Sequence, residues 1–149
     1  EHLNFELLII GFGEKKEELT QFVKKNNLSK FVKILSVYSN LYKILDQSDI
    51  FILSSKYEGL PNVLLEAASL RKFIISTNCP TGPKEILLNG KGGLFFKIGD
   101  YNDLSNKIIL YSKNKKKFNK RILATFKGLQ RYDLEKNLIR YQDILVNFI

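Results

Sequence analysis

Residues 50–67 read Ile50-Phe51-Ile52-Leu53-Ser54-Ser55-Lys56-Tyr57-Glu58-Gly59-Leu60-Pro61-Asn62-Val63-Leu64-Leu65-Glu66-Ala67. The run Ile50 to Leu53 has the length of a strand and is uniformly apolar, as a strand covered on both faces by helices should be. A small polar turn follows, and beyond Pro61 the apolar residues recur with helical spacing. Pro61 suits the first helical turn, where its missing N–H costs nothing. Strand, loop and helix are therefore expected in close succession. In that arrangement the amides of Asn62, Val63 and Leu64 are unpaired donors at the positive end of a helix dipole, and Gly59 lets a ligand approach the backbone closely. Such a place binds phosphate or another anion. Two carboxylates frame it, Glu58 in the loop and Glu66 about two turns along the helix. Beside a phosphate they repel it unless they point elsewhere. Hydroxyl groups of a sugar give them a use, because an ionised carboxylate accepts from two neighbouring hydroxyls.

Working outward, the same alternation recurs. Upstream, Phe5 to Ile10 reads as a strand that runs into Gly11-Phe12-Gly13, and Glu14 to Asn26 as an amphipathic helix expected to bury Leu19, Phe22 and Val23. Val32 to Val37 is a second strand, and Asn40 to Gln47 a short helix with Asn40 as its N-cap and Leu41, Ile44 and Leu45 on one face. Downstream, Phe73 to Ser76 is a fourth strand, and the loop Thr77-Asn78-Cys79-Pro80-Thr81-Gly82-Pro83 opens a helix from Pro83 to Leu88. Turn residues Asn89 to Gly93 lead to a last short strand, Leu94 to Phe96. Three helices close the chain: Asp100 to Ser112, capped by Asp100 and burying Leu104, Ile108 and Ile109; the basic Lys115 to Lys127; and Leu134 to Phe148, carrying Leu138, Tyr141, Ile144 and Leu145. Alternating strands and helices give a doubly wound parallel α/β sheet, Rossmann-like, whose loop mouths gather at the carboxyl ends of the strands, where ligands bind. The Gly-x-Gly after the first strand does not complete a dinucleotide fingerprint, since Lys16 stands where the third glycine would fall and no acid ends the next strand.

Composition bounds the function classes. With 149 residues, 44% apolar and 12% aromatic, the chain supports one domain, 1–149, with a proper core. It contains no Met and opens at Glu1, so it is expected to be a piece of a longer polypeptide. One cysteine, Cys79, and one histidine, His2, exclude an internal disulfide framework and a Cys/His metal cluster, so no metal site is expected and a reducing, cytoplasmic compartment is. No apolar run reaches the length of a membrane span and no signal-peptide pattern opens the chain, which leaves a soluble or peripheral protein. The net charge of +9 is a local excess: residues 113–121 hold six cations and no acid, leaving 18 cations against 15 acids elsewhere. That patch reads as a solvated helix face, with attraction to an anionic membrane surface, or to nucleic acid, as alternatives.

Glu58-Gly59-Leu60-Pro61 followed by Glu66, with seven residues between the glutamates, resembles the E-x7-E signature of retaining family 4 glycosyltransferases of the GT-B fold. Four further segments are similar to that family in order and spacing: Leu7 to Gly13, Asp49 to Ser55, Pro83-Lys84-Glu85-Ile86, and Gly93-Leu94-Phe95-Phe96. The resemblance implies the C-terminal, donor-binding half of a two-domain enzyme. It moves a hexose or N-acetylhexosamine from a nucleotide diphosphate, with UDP as the nucleotide, to a glycan or lipid-linked acceptor, without a metal. Glu58 would hold hydroxyls of the donor sugar and act as the catalytic carboxylate; Glu66 would hold the ribose hydroxyls. Backbone amides near Leu60 to Val63 would take the diphosphate, with Gly59, Leu60, Pro61, Asn62 and Val63 all in the donor-binding segment, and Val37 and Tyr38 would lie beside the base. Lys56 and Lys84 are further phosphate candidates. The segment Cys79-Pro80-Thr81-Gly82-Pro83-Lys84-Glu85 resembles a variant in bacterial transferases that build surface or lipid-linked glycans.

The sequence departs from that pattern in two places. The Arg and Lys with which the family clamps the diphosphate lie upstream of the region that Phe5 begins, and so does the acceptor-binding domain. The family's first strand, central in its sheet, is also missing, so Phe5 to Ile10 and Ile50 to Leu53 are expected either to close up or to leave unpaired edges. Rival readings are a GT-B nucleotide-sugar epimerase, for which no additional acid or base stands out, a non-catalytic α/β binding module, and a nucleic-acid-binding domain.

Overall fold

A computed structural model describes residues 4–36 and 41–147. The chain divides into two compact units, residues 1–41 and 42–149, each described here by itself.

In the first unit, β1 (Leu7–Ile10) and β2 (Val32–Leu35) pair in parallel, with Leu7 opposite Val32 and Ile10 opposite Leu35. The helix α1 (Lys16–Lys25) connects them. Phe5, expected at the strand's start, precedes β1 and stacks on Phe31 at 5.6 Å. Of the three side chains expected to be buried by α1, only Val23 is; Leu19 and Phe22 are exposed. The face that is covered runs Lys16, Thr20, Val23, an i, i+4, i+7 line; Leu19 lies at its margin, about 40° round from Val23, and Phe22 about 100° round. Periodicity placed the stripe correctly in pitch but out in phase.

The second unit begins within α2 (Leu41–Gln47) and contains β3 (Ile50–Leu53), α3 (Asn62–Ser69), β4 (Phe73–Thr77) and α4 (Pro83–Ile86). A 3₁₀ turn at Leu88–Gly90 leads to β5 (Leu94–Phe96). Then come α5 (Tyr101–Lys113), α6 (Lys115–Gly128), a second 3₁₀ turn (Leu129–Tyr132) and α7 (Leu134–Val146). Strands β3, β4 and β5 form a parallel sheet in that order, with Ile52 opposite Ile75 and Ile75 opposite Leu94. All of β4 is buried, as the central strand of a sheet covered on both faces must be.

Alternation along β4 sorts the core into two layers. Ile74 joins Leu53, Leu64, Ala67, Ala68, Ile86 and Leu87 on the face covered by α3 and α4. Phe73 and Ile75 join Phe96, Tyr111 and Phe118 on the face covered by α5 and α6. In that second layer the Phe73 and Tyr111 rings stack at 4.3 Å, with Phe118 tilted against both. Burial of Tyr111 raises its phenol pKa, and its hydroxyl reaches the Asp49 carbonyl at 3.5 Å. The N-cap expected for the helix that follows β5 is present: the Asp100 carboxylate accepts from the Asp103 amide at 2.9 Å.

Parallel sheets with connecting helices are observed, as expected for a doubly wound fold, but the strands are divided between a two-stranded and a three-stranded sheet. Among the described residues β1 pairs with β2 alone and β3 with β4 alone, so each keeps one unpaired edge. The expected cap Asn40 and the base-side residues Val37 and Tyr38 lie outside the described residues. On α7 the apolar residues Leu138, Tyr141, Ile144 and Leu145 are all exposed. No helix among the described residues is long and apolar enough to cross a membrane.

Candidate functional site

Leu53 ends β3 inside the α3 layer, and the chain then crosses the sheet edge as an eight-residue loop, residues 54–61, before α3 begins. Pro61 was expected inside the first helical turn. It stands instead at the N-cap with φ −72° and ψ 101°, an extended conformation, and Asn62 opens the helix. Its ring still fits, because a cap residue needs no helical N–H. Pro61 and Leu64 are buried and fasten the helix start, whereas Asn62 and Val63 are exposed. Of the three amides expected to be free, Leu64 N–H is not: it donates to the Pro61 carbonyl at 2.9 Å, tightening the first turn. The Asn62 and Val63 amides have no partner among the described residues, so two donors face outward at the positive end of α3.

Glu58 and Glu66 are both half-buried, and neither carboxylate makes a hydrogen bond or ion pair among the described residues. Gly59 is exposed, with open space where a side chain would stand, and Leu60 and Tyr57 are exposed beside it, Tyr57 at 81%. The loop and α3 together therefore carry two uncommitted acids, two free amides and an apolar rim. Lys56 and Lys84 are exposed. Among the described residues no three His, Cys, Asp or Glu side chains gather into a metal-binding group.

The support of this loop comes from the β4-to-α4 loop and its neighbours, whose motif the sequence shows but whose contacts it does not. The Thr77 hydroxyl, buried at the end of β4, donates to the Ser55 carbonyl at 2.6 Å. Four residues later the Thr81 hydroxyl donates to the Glu58 carbonyl, with the Pro80 carbonyl as a second acceptor within its reach. Thr81 has φ +61° and Gly82 φ +45°. A left-handed backbone is unfavourable for a β-branched residue and costs on the order of 1–3 kcal/mol, so the surroundings must impose it. Behind these, the Tyr132 hydroxyl donates to Glu85 Oε1 at 2.9 Å and Arg131 donates to the Glu85 carbonyl, clipping the 3₁₀ turn to α4. Burial, followed by that hydrogen bond to Glu85, pushes the Tyr132 phenol up to about 12. The local signal for the shape of this second loop is its Thr-Gly-Pro run, in which a glycine that adopts positive φ precedes a helix-opening proline.

Residues 1–127 match the family model for glycosyl transferases group 1. The chain belongs to this family. This glycosyltransferase domain is 46% identical over 84 residues to a glycosyltransferase of Methanocaldococcus jannaschii, covering 56% of the chain and 21% of that protein. It is 29% identical over 147 residues to the UDP-Gal:alpha-D-GlcNAc-diphosphoundecaprenol alpha-1,3-galactosyltransferase of Escherichia coli, covering 94% of the chain and 37% of the relative. The crystal structure of Anabaena Alr3699/HepE in complex with UDP superposes with a TM-score of 0.86 at 21% identity, over 96% of this chain and 41% of that one. The glycosyltransferase chain thus spans less than half the length of these relatives. Its α/β architecture with parallel sheets is that of the Rossmann-like domains of GT-B glycosyltransferases.

Proposed function

We propose that this chain is the donor-binding domain of a retaining family 4 glycosyltransferase, taking a hexose or N-acetylhexosamine from UDP and passing it to a glycan or lipid-linked acceptor. One observation carries the reading: the first turn of α3 exposes two unpartnered amides, at Asn62 and Val63, with an unpartnered carboxylate before it in the chain, Glu58, and another after it, Glu66. Amides at a helix start suit a diphosphate, and uncommitted carboxylates suit the hydroxyls on either side of it. On this reading Asn62 and Val63 take the diphosphate, Glu66 the ribose and Glu58 the donor sugar. The relatives agree in kind. HepE is described with UDP and with UDP-glucose, and the E. coli relative acts on a diphosphoundecaprenol acceptor.

The chemistry follows from the charge that develops. As the bond from the sugar's anomeric carbon to the phosphate oxygen breaks, negative charge collects on the diphosphate, where fixed N–H dipoles stabilise it without reorganising. The Glu58 carboxylate steadies the electron-poor sugar through its hydroxyls. An acceptor oxygen forms the new bond on the same face, and the departing phosphate oxygen takes its proton. The amide dipoles serve here in place of a metal, so EDTA is expected to leave transfer unchanged. A lipid-linked acceptor would make the protein peripheral at the cytoplasmic membrane face.

Titration calorimetry with UDP, GDP and ADP, then with UDP-sugars, tests the proposal. UDP should bind best, Glu66→Gln should weaken UDP itself, and Glu58→Gln should remove only the increment due to the sugar. Equal binding of all three nucleotides, or indifference to both substitutions, overturns it.

A further inference from the structure

The loop that carries Glu58 does not hold itself in place. Among the described residues its side chains make no hydrogen bond back to its own backbone, and its two side-chain-to-backbone ties come from Thr77 at the end of β4 and Thr81 in the loop that follows. The contacts run along the loop in order: Thr77 reaches Ser55, Thr81 reaches Glu58, and Gly82 lies against Gly59 and Pro61. The two differ in setting. Thr77 is wholly buried and belongs to the core, whereas Thr81 is exposed, on a backbone with φ +61° that a threonine rarely adopts. An exposed β-branched residue held in that conformation, with its hydroxyl on the one main-chain carbonyl belonging to Glu58, contributes little to the core. What it does fix is the Glu58–Gly59 peptide unit, which adjoins the Cα from which the carboxylate side chain extends.

We infer that Thr81 is a positioning residue for the donor sugar: its hydroxyl holds the Glu58 main-chain carbonyl and thereby sets the Glu58 carboxylate relative to the first turn of α3. The inference deepens the donor-binding reading of Glu58 and rests on it. Thr81 itself touches no substrate. Its contribution appears wherever the Glu58 carboxylate is used and nowhere else, so the diphosphate contacts of Asn62 and Val63 do not depend on it.

The test uses the full-length chain and four variants, Thr81→Val, Thr81→Ser, Glu58→Gln and the double variant Thr81→Val with Glu58→Gln. Binding is measured for UDP, UDP-glucose, UDP-galactose, UDP-N-acetylglucosamine and UDP-N-acetylgalactosamine, with hydrogen exchange followed at residues 58–60. Thr81→Val, which keeps the shape and deletes the hydroxyl, should leave UDP affinity within about twofold and reduce the additional affinity due to the sugar by about fivefold. Thr81→Ser should restore it. The double variant should bind no worse than Glu58→Gln, because a residue acting through another adds nothing once that other is gone. Exchange at residues 58–60 should quicken in Thr81→Val. Unchanged exchange, failure of Thr81→Ser to restore binding, equal losses for UDP and UDP-sugar, or additive losses in the double variant each overturn the clamp while leaving the role of Glu58 standing. Indifference of sugar binding to Glu58→Gln overturns the donor reading itself, and the clamp with it.

Discussion

A β-carbon added to Gly82 would lie 2.1 Å from the carbonyl oxygen of Gly59. The same atom would come within 2.5 Å of the Pro61 ring, and Gly82 has φ +45°, so the residue is glycine for two separate reasons. The clash is with backbone, which cannot swing aside as a side-chain tip does. Gly82→Ala should therefore destabilise the domain by roughly 2–4 kcal/mol, combining overpacking with the left-handed penalty. Urea denaturation measures the loss. Any part of it relieved by moving residues 59–61 should appear as weakened UDP-sugar binding.

The turn before β5 is held from α6. The buried Thr125 hydroxyl donates to the Gly92 carbonyl at 2.7 Å, and Arg121 Nη1 donates to the Gly90 and Gly93 carbonyls at 3.0 and 2.8 Å. Thr125→Val keeps the volume and leaves a buried carbonyl unpaired, which should cost about 1–3 kcal/mol. Arg121→Lys keeps the charge but loses the guanidinium geometry that reaches two carbonyls at once, and should cost less, about 1 kcal/mol. Equilibrium unfolding of both variants checks the order.

These bonds also show what the sequence does and does not reveal. Strand β3 and the loop leading to α3 were legible, because an apolar run followed by Gly, Pro and helical spacing has few other readings. The central place of β4 was implicit in its apolar run Phe73-Ile74-Ile75. Arg121 was not legible: inside a run of six cations it read as one more solvated charge, yet it is spent on a glycine turn about 30 residues upstream. Lys115 of the same run pairs with Asp49 at 2.7 Å. Patterns of charge report composition, whereas the partner of a charge is fixed by tertiary approach. Thr81 was hidden for the same reason, since nothing local distinguishes a threonine that holds a distant carbonyl from one that faces water. The phase error on α1 is different in kind: three apolar residues within five positions define a helical face only to within one residue.

The Tyr132 phenol gives the pH dependence a direction. Its pKa is raised from 10.0 to about 12 in the folded chain, so its contribution to stability is complete below pH 10 and is lost as pH rises toward about 12. In that window the folded state retains a proton that the unfolded state has released. Tyr132→Phe should make the decline in unfolding free energy between those values shallower. Tyr111, also raised by burial, should account for part of the slope that remains. Urea midpoints measured from pH 9 upward decide this, and an unchanged slope in Tyr132→Phe would mean that its proton is not linked to folding.

The two free amides can be separated from the side chains that surround them. Asn62 occupies the first helical position, where proline is accepted because that N–H has no intrahelical partner. Pro61 before it is already extended, with ψ 101°, the conformation that a following proline requires. Asn62→Pro should thus remove one outward donor with little effect on the fold, holding the thermal midpoint within about 3 °C. If that amide takes a diphosphate oxygen, UDP affinity should fall about tenfold, the size expected for one hydrogen bond to a charged group. Asn62→Ala keeps the N–H and deletes the side-chain amide, so it should bind UDP like the parent. A loss in Asn62→Ala equal to that in Asn62→Pro would assign the contact to the side chain, and full affinity in Asn62→Pro would remove this amide from the diphosphate site.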